Sequence, residues 1–331
     1  MNKTINKEYK RYGLPFLLGR VNTVFKTHYG IEVEGRVYNC KVSGRFNYIA
    51  YQKSDYPVVG DYVVFKPSDY DDTGVIEKVC TRYSTVQRMD VGNIVEEQIL
   101  ASNVDVIFVC MSLNEDFRLI KLQNFLSLTY SSSADVVILL TKSDLCEDIE
   151  FFKNKVRKID DTSKIMVVSI EDQTSIELLG DVLVDKTGVF IGSSGVGKST
   201  IVNKLLGYDY LDTKDIRGTD DQGRHTTSHR ELVHLKNGGS IIDTPGIRIV
   251  YSYILDDVGD AFKKVSELAM LCRFNDCTHS DEPGCNVVER LDSGDLPIEV
   301  YDSYIKTVKL NRFNKKREMI RQKMQDKRKR G

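Results

Sequence analysis

The sequence predicts an α/β chain in three parts: a small five-stranded barrel, a parallel-sheet α/β domain, and a small helical C-terminal domain. Three observations carry this prediction. Over residues 15 to 90, short apolar runs are broken every few residues by glycine or proline, the punctuation of a compact all-β unit. From Val104 onward, unbroken Val/Ile-rich runs alternate with helical patterns, as expected of strands buried on both faces of a parallel sheet. After Gly246 the spacing is helical. A chain of 331 residues exceeds one ordinary core, and the texture changes place the domains at 1–92, 93–255 and 256–331.

In the first part the strands read as Arg20 to Phe25, Ile31 to Val33, Arg36 to Val42, Tyr62 to Phe65 and Val75 to Val79, separated at Gly30, Gly35, Gly44, Pro57, Gly60 and Gly74. Five such strands suggest a barrel of the OB (oligonucleotide-binding) type. Tyr38, Phe46, Tyr48 and Arg45 are its candidates for base stacking and cation contacts, against the plainer reading that barrel aromatics fill the core. In the second part the strands are 104–111, 135–140, 164–169 and 188–192, with a helix near Leu119 to Tyr130. Ligands of such sheets sit at the carboxyl ends of the strands. Two further strands, 231–235 and 240–243, flank Asn237-Gly238; this hairpin signal predicts an antiparallel pair, expected at the sheet's edge. The third part has Val258, Phe262, Val265 and Ala269, then Tyr301, Ile305, Val308 and Arg312, at helical spacing.

Hydrophobic residues at 41% and charged residues at 29% exclude disordered and collagen-like chains. No apolar run reaches the roughly 18–20 residues of a bilayer span, and the N-terminus lacks the apolar core of a secretory signal. A cytoplasmic protein without membrane contact is expected. Seven cysteines, three of them within 272–285, fit a disulfide framework poorly. The net charge of −1 conceals an asymmetry: residues 306–331 hold twelve Lys/Arg against Glu318 and Asp326, so this arm carries +10 and the rest of the chain −11. Such an arm suits a polyanion, RNA foremost; a merely solvated helix end is the competing reading.

Residues 192–200 read Gly192, Ser193, Ser194, Gly195, Val196, Gly197, Lys198, Ser199 and Thr200, matching G-x-x-x-x-G-K-[ST] between an apolar strand and a helical pattern. The glycines let backbone amides turn toward phosphate oxygens, and the helix points its positive end at the same anion. Lys198 is assigned to the β- and γ-phosphates, Ser199 to Mg²⁺ and Thr200 to the α-phosphate. Thr141, Lys142, Ser143 and Asp144 end another strand. A carboxylate there accepts two hydrogen bonds from guanine N1–H and its exocyclic amine, which adenine does not offer. Lys142 would lay its stem along the base, and Ser169, ending the next strand, would lie near O6.

The order is unusual, because this base motif precedes the phosphate loop, the switch-like segment 223–228 (GRHTTS) and the DTPG of 243–246. With the barrel before it and CRFNDCTHSDEPGC (272–285) after it, the chain resembles, over essentially its whole length, the circularly permuted small ribosomal subunit biogenesis GTPases. One departure is Thr141, where GTPases usually carry Asn; a shorter side chain implies weaker guanine affinity. Asp243 should bond a Mg²⁺-bound water and the Gly246 amide should sense the γ-phosphate. Either Thr226 or Thr227 should reach Mg²⁺. The place of the usual water-orienting Gln is Ile247, which implies a low intrinsic rate and leaves His225, or a group from a partner, to position water.

Cys272, Cys277, His279 and Cys285 give C-x4-C-x-H-x5-C, four donors suited to one structural, tetrahedral Zn²⁺, and the resemblance implies the same site. The expectation is a monomeric hydrolase taking GTP to GDP with Mg²⁺, slow alone, stimulated by the small ribosomal subunit and gripping rRNA through barrel and tail. Two other readings are an RNA-binding assembly platform with a sensing nucleotide pocket, and an ATP-using enzyme in which the TKSD sequence misleads.

Overall fold

The computed structural model describes residues 3–91, 95–115, 117–129, 132–210, 230–243, 262–274, 277–280, 282–305 and 308. It divides into two compact units, one of Met1–Asp116, Ser131–Glu147 and Lys164–Arg248, the other of Phe117–Tyr130, Asp148–Ser163 and Ile249–Gly331.

The first unit opens with helix α1 (Lys3–Tyr9) and strands β1 (Leu17–Val24), β2 (Tyr29–Val33) and β3 (Arg36–Val42). Helix α2 (Gly44–Ile49) follows, then β4 (Tyr62–Pro67) and β5 (Thr73–Val79). The strands run in the order β1-β2-β3-β5-β4, and a β1–β4 pairing closes the five-stranded barrel. Closure removes the open edges that a five-stranded sheet would otherwise present. Val21, Ile31, Cys40, Val63, Phe65 and Ile76 fill the interior. Tyr38 packs against Phe65, ring centroids 5.2 Å apart, so it belongs to the core. Phe46 lies half-buried against Tyr56, whereas Tyr48 is 92% exposed.

The hairpin β6 (Thr85–Val91) and β7 (Val95–Ser102) comes next. The sequence reading named neither strand, because their polar residues interrupt the apolar alternation that marks the others. Strands β8 (Val106–Ser112), β9 (Asp135–Thr141), β10 (Lys164–Val168), β11 (Thr187–Gly192), β12 (Glu231–His234) and β13 (Ser240–Asp243) form the α/β sheet. Their order is β10-β9-β8-β11-β13-β12, all neighbours parallel except β12 with β13. Every residue of β8 and β11 is buried, which is why both read as unbroken apolar runs. Helices α5 (Gln173–Val182) and α6 (Lys198–Leu206) supply Ile176, Leu179, Ile201, Val202 and Leu206 to a core with Phe108, Phe190 and Ile241.

The β12–β13 pair is antiparallel as the Asn237-Gly238 turn requires, with Glu231 opposite Asp243 and His234 opposite Ser240. It is not at an edge. Strand β12 also pairs with barrel strand β1 at Thr23↔Glu231, so barrel and α/β layer form one continuous eleven-stranded sheet. Edge strands offer unpaired backbone groups, and here the barrel supplies the partner. The joint is reinforced by Arg20, whose guanidinium donates to Thr187 Oγ1 at 2.8 Å and Asn103 O at 3.2 Å. Gly60 closes it from the barrel side: a Cβ there would stand 2.1 Å from Ser102 O.

The second unit contains α3 (Leu119–Ser127), α4 (Ile149–Arg157), and the helices Lys263–Met270 and Asn286–Asp292. Phe117 meets Phe152 edge-on at 4.9 Å, and Lys158 Nζ donates to Gly294 O at 2.6 Å. Phe262, Val265, Val287, Leu296, Val300 and Tyr304 are buried. Phe262 and Val265 sit at the helical spacing read from the sequence; Val258 and Arg312 lie outside the described residues. Among the described residues no helix is long and apolar enough to cross a membrane.

Candidate functional site

Strand β11 delivers the chain into the loop 192–197, and helix α6 begins immediately after it at Lys198. Gly192 is required by close approach, since a Cβ would lie 2.7 Å from the carbonyl oxygen of Cys110 on neighbouring β8. Gly197 takes φ +95°, a conformation open to glycine at little cost, and so turns the loop into the first helical amides. Val196 is buried in the core beneath the loop, while Ser194 and Gly195 are exposed. The unpaired first amides of α6 and its dipole favour an anion at this point. Lys198 Nζ donates to the loop's own carbonyls, Gly192 O at 2.9 Å and Ser193 O at 2.7 Å, which holds the ammonium at the mouth. Burial lowers its pKa, opposed by Cys110 and by the Asp243 carboxylate. Ser199 and Thr200 occupy the first turn of α6, half-buried.

The base motif ends β9, two strands away across β8. Thr141 is 1% exposed, and its Oγ1 donates to Val196 O in the phosphate loop at 2.6 Å. Thr141 is shorter than the asparagine usual at this place. The brace to the phosphate loop is nevertheless made, because the parallel strands bring the Val196 carbonyl within a hydroxyl's reach. Lys142 turns the chain with φ 57° into the short 3-10 turn Ser143–Leu145, which presents Asp144 to solvent. The register Val168↔Thr141 sets Ser169 beside this turn. Its hydroxyl donates to Asp144 Oδ1 at 2.5 Å, and Ser169 is itself held by the Ser175 hydroxyl through its backbone. Thr141, Asp144, Ser169 and the loop 192–197 thus form one connected site.

Asp243 ends β13 and lies within electrostatic reach of Lys198. Burial, then the neighbouring Glu231, pushes its carboxyl up to about 6, with Lys198 pulling it back. Glu231 is its cross-strand partner and accepts a hydrogen bond from the Tyr210 hydroxyl. Burial and this hydrogen bond raise the Tyr210 phenol. The sequence reading named neither Glu231 nor Tyr210. The observed register, in which Leu235 N–H donates to Gly239 O and three residues form the turn, places Glu231 opposite Asp243. A two-residue Asn-Gly turn counted outward would offset the pairing by one residue, so no local signal marks Glu231 or Tyr210. The Ser199 hydroxyl and the Asp243 carboxylate are the hard oxygen donors that suit Mg²⁺. His225, Thr226, Thr227 and Gly246 lie outside the described residues.

In the second unit, the ligand atoms of Cys272, Cys277, His279 and Cys285 all lie within 4.8 Å of one another. Cys272 Sγ is 3.8 Å from Cys285 Sγ, and His279 Nδ1 is 3.6 Å and 3.5 Å from those two sulfurs. Zn–S bonds of about 2.3 Å and a Zn–N bond of about 2.0 Å generate tetrahedral edges of about 3.8 Å (S···S) and about 3.5 Å (S···N). The spacing therefore fits a closed four-coordinate zinc site. Tyr301 donates its hydroxyl to His279 O at 2.6 Å, fixing the histidine's backbone from a later helical turn.

Two outcomes are expected. Thr141→Val, which leaves the Val196 carbonyl without its donor, should weaken binding of guanine nucleotides by roughly tenfold, about 1–2 kcal/mol, with Thr141→Ser retaining most of the affinity; calorimetric titration of GDP measures it. The protein should carry one equivalent of zinc by elemental analysis. Cys285→Ser, or a strong chelator, should remove the metal and lower the helical circular dichroism, because binding and folding of so small a unit are coupled.

Comparison with known proteins places the chain in a family. The RsgA GTPase family model matches residues 79–252, over half of the chain. The Small ribosomal subunit biogenesis GTPase RsgA 2 of Lactiplantibacillus plantarum is 39% identical over 294 residues, covering 88% of this chain and 82% of that protein. The Small ribosomal subunit biogenesis GTPase RsgA of Methanosarcina acetivorans is 35% identical over 305 residues, covering 92% and 82%. The crystal structure of YjeQ from Thermotoga maritima superposes with TM-score 0.65 at 25% identity, covering 89% of this chain and 98% of that one. That of YloQ, a circularly permuted GTPase, gives TM-score 0.65 at 24% identity, covering 92% and 97%. With its base motif ahead of its phosphate loop and the two joined through Thr141, the chain is a GTP-hydrolysing enzyme that belongs to the RsgA GTPase family.

Proposed function

We propose that this GTPase assists late maturation of the small ribosomal subunit, engaging the subunit with GTP bound and leaving it after hydrolysis. The observation that carries the reading is the Thr141–Val196 bond, which makes a guanine-reading turn and a phosphate loop one site; the relatives' names supply the subunit. GTP would seat its base against Lys142, Asp144 and Ser169 and its phosphates on the loop amides and Lys198. Ser199 would hold Mg²⁺ through its hydroxyl and Asp243 would bond a water of the ion, which when bound would supply neutralisation of the phosphate charge. Thr226 or Thr227 would complete the Mg²⁺ environment and the Gly246 amide would face the γ-phosphate.

Intrinsic hydrolysis is slow in this reading, since Ile247 stands where a water-orienting glutamine is usual, and His225 or a group of the subunit orients the attacking water. The barrel of 1–92 presents Tyr48, Tyr51 and Tyr70, each more than 90% exposed, as stacking surface for rRNA. The basic arm of 306–331 adds phosphate contacts. Residues 93–255 act as the GTPase domain, and 256–331 as a zinc-stapled domain that follows the second switch directly. The protein acts in the cytoplasm as a monomer.

Single-turnover hydrolysis with purified small subunits should run at least tenfold faster than without them or with large subunits. Equal rates would overturn the reading. Co-sedimentation with small subunits should be stronger with a non-hydrolysable GTP analogue than with GDP, and fall steeply as salt rises. His225→Ala should lower the stimulated rate by about a hundredfold and leave GDP binding unchanged; an unaltered stimulated rate would return the water-positioning role to the partner.

A further inference from the structure

The position of Glu231 is unusual for a carboxylate. Its backbone is fixed on both sides, paired with Asp243 of β13 on one and with Thr23 of barrel strand β1 on the other. It is the point at which the barrel's hydrogen-bonding ladder meets that of the α/β sheet. Residues directly opposite in an antiparallel pair project from the same face, with Cβ atoms about 4.5–5.5 Å apart, and like charges so placed repel. Glu231 and Asp243 share the face of Val233 and Ile241, which packs with α6 and Tyr210. The Tyr210 hydroxyl donates to the Glu231 carboxylate. Tyr210 is seated in turn by its own amide, which donates to Asn203 Oδ1 of α6 at 3.2 Å. A second carboxylate is thus anchored beside the one that would face Mg²⁺, on the sheet face that packs with α6.

Resting on the GTPase reading, we propose that Glu231 is a positioning residue for the magnesium ion. Held by Tyr210, its carboxylate adds negative charge beside Asp243, attracting the divalent cation and repelling nucleotide phosphates when the cation is absent. It does not touch the reacting atoms. Its influence is electrostatic, and the two effects have opposite sign: the same charge that favours the metal disfavours the bare diphosphate. Glu231 therefore makes nucleotide affinity more dependent on magnesium than Ser199 and Asp243 alone would.

This sign difference separates an electrostatic from a merely structural role. GDP affinity is measured by calorimetry or a fluorescent GDP analogue on the full-length protein, in EDTA and across a magnesium titration, with thermal melting in parallel. Glu231→Gln preserves an acceptor for the Tyr210 hydroxyl and removes only the charge. It should raise the magnesium concentration for half-maximal tightening about five- to tenfold, while GDP affinity in EDTA stays the same or increases. Tyr210→Phe, which leaves the charge but releases it, should give a shift of about two- to threefold in the same direction. An unchanged magnesium requirement in Glu231→Gln overturns the proposal. So does an equal loss of GDP affinity with and without magnesium, which marks a structural role. Should Glu231→Gln melt below the assay temperature, Tyr210→Phe decides by the same two criteria. Failure of the wild-type protein to bind GDP with magnesium would instead refute the GTPase reading on which the proposal rests.

Discussion

The hydrogen bond from Thr141 Oγ1 to Val196 O is the constraint on which the nucleotide site depends. It is a short, buried bond between segments 55 residues apart in sequence, made where water does not compete. Buried donors and acceptors are costly to leave unpaired, so the hydroxyl and the carbonyl hold one another, and through them the Lys-x-Asp turn and the loop 192–197 keep a fixed separation. The parallel register from β9 through β8 to β11 makes the bond possible, because it brings the carboxyl ends of both motif-bearing strands to the same edge of the sheet. Site geometry depends on that edge and not on the order in which the chain visits it. This is why the domain tolerates a base motif that comes first.

The sheet also explains how the barrel is attached. In an isolated α/β layer β12 would present an open edge. Here Glu231 pairs with Thr23, Arg20 reaches Thr187 and Asn103, and His234 meets Glu32 with Nε2 2.8 Å from the carboxylate. The Glu231 and His234 contacts lie on β12, the strand paired with the one that ends at Asp243, and the Arg20 contact with Thr187 lies at the start of β11. Barrel and nucleotide site are therefore built on one hydrogen-bonded framework, and the polar groups around Lys198, Asp243, Glu231 and Tyr210 are held by backbone pairing and by α6, as rigid support requires.

The second unit solves a different problem. It buries Leu122, Phe125, Leu126 and Val156 of α3 and α4, and Phe262, Val265, Val287, Val300 and Tyr304 of its C-terminal part. In that C-terminal part, three thiols and one imidazole are arranged with edges that match a tetrahedral ion, which would add cohesion through metal bonds. The Tyr301 to His279 backbone bond links this cluster to the helical turns that precede the basic arm.

By itself the sequence determined those features that depend on near neighbours along the chain. These are the glycine-lysine phosphate loop, the Lys-x-Asp turn, the cysteine and histidine spacing, the buried strands legible as unbroken apolar runs, and the antiparallel Asn237-Gly238 hairpin. The β6–β7 hairpin escaped because its alternation is interrupted by charged residues such as Glu96 and Glu97. Tertiary structure alone decided that Thr141 still braces the phosphate loop, that β12 continues into the barrel instead of ending the sheet, and that Tyr210 holds the carboxylate opposite Asp243. Each of these is a contact between segments distant in sequence. Its existence depends on strand register and helix packing bringing the two groups to hydrogen-bond distance, which residue type and spacing do not encode locally.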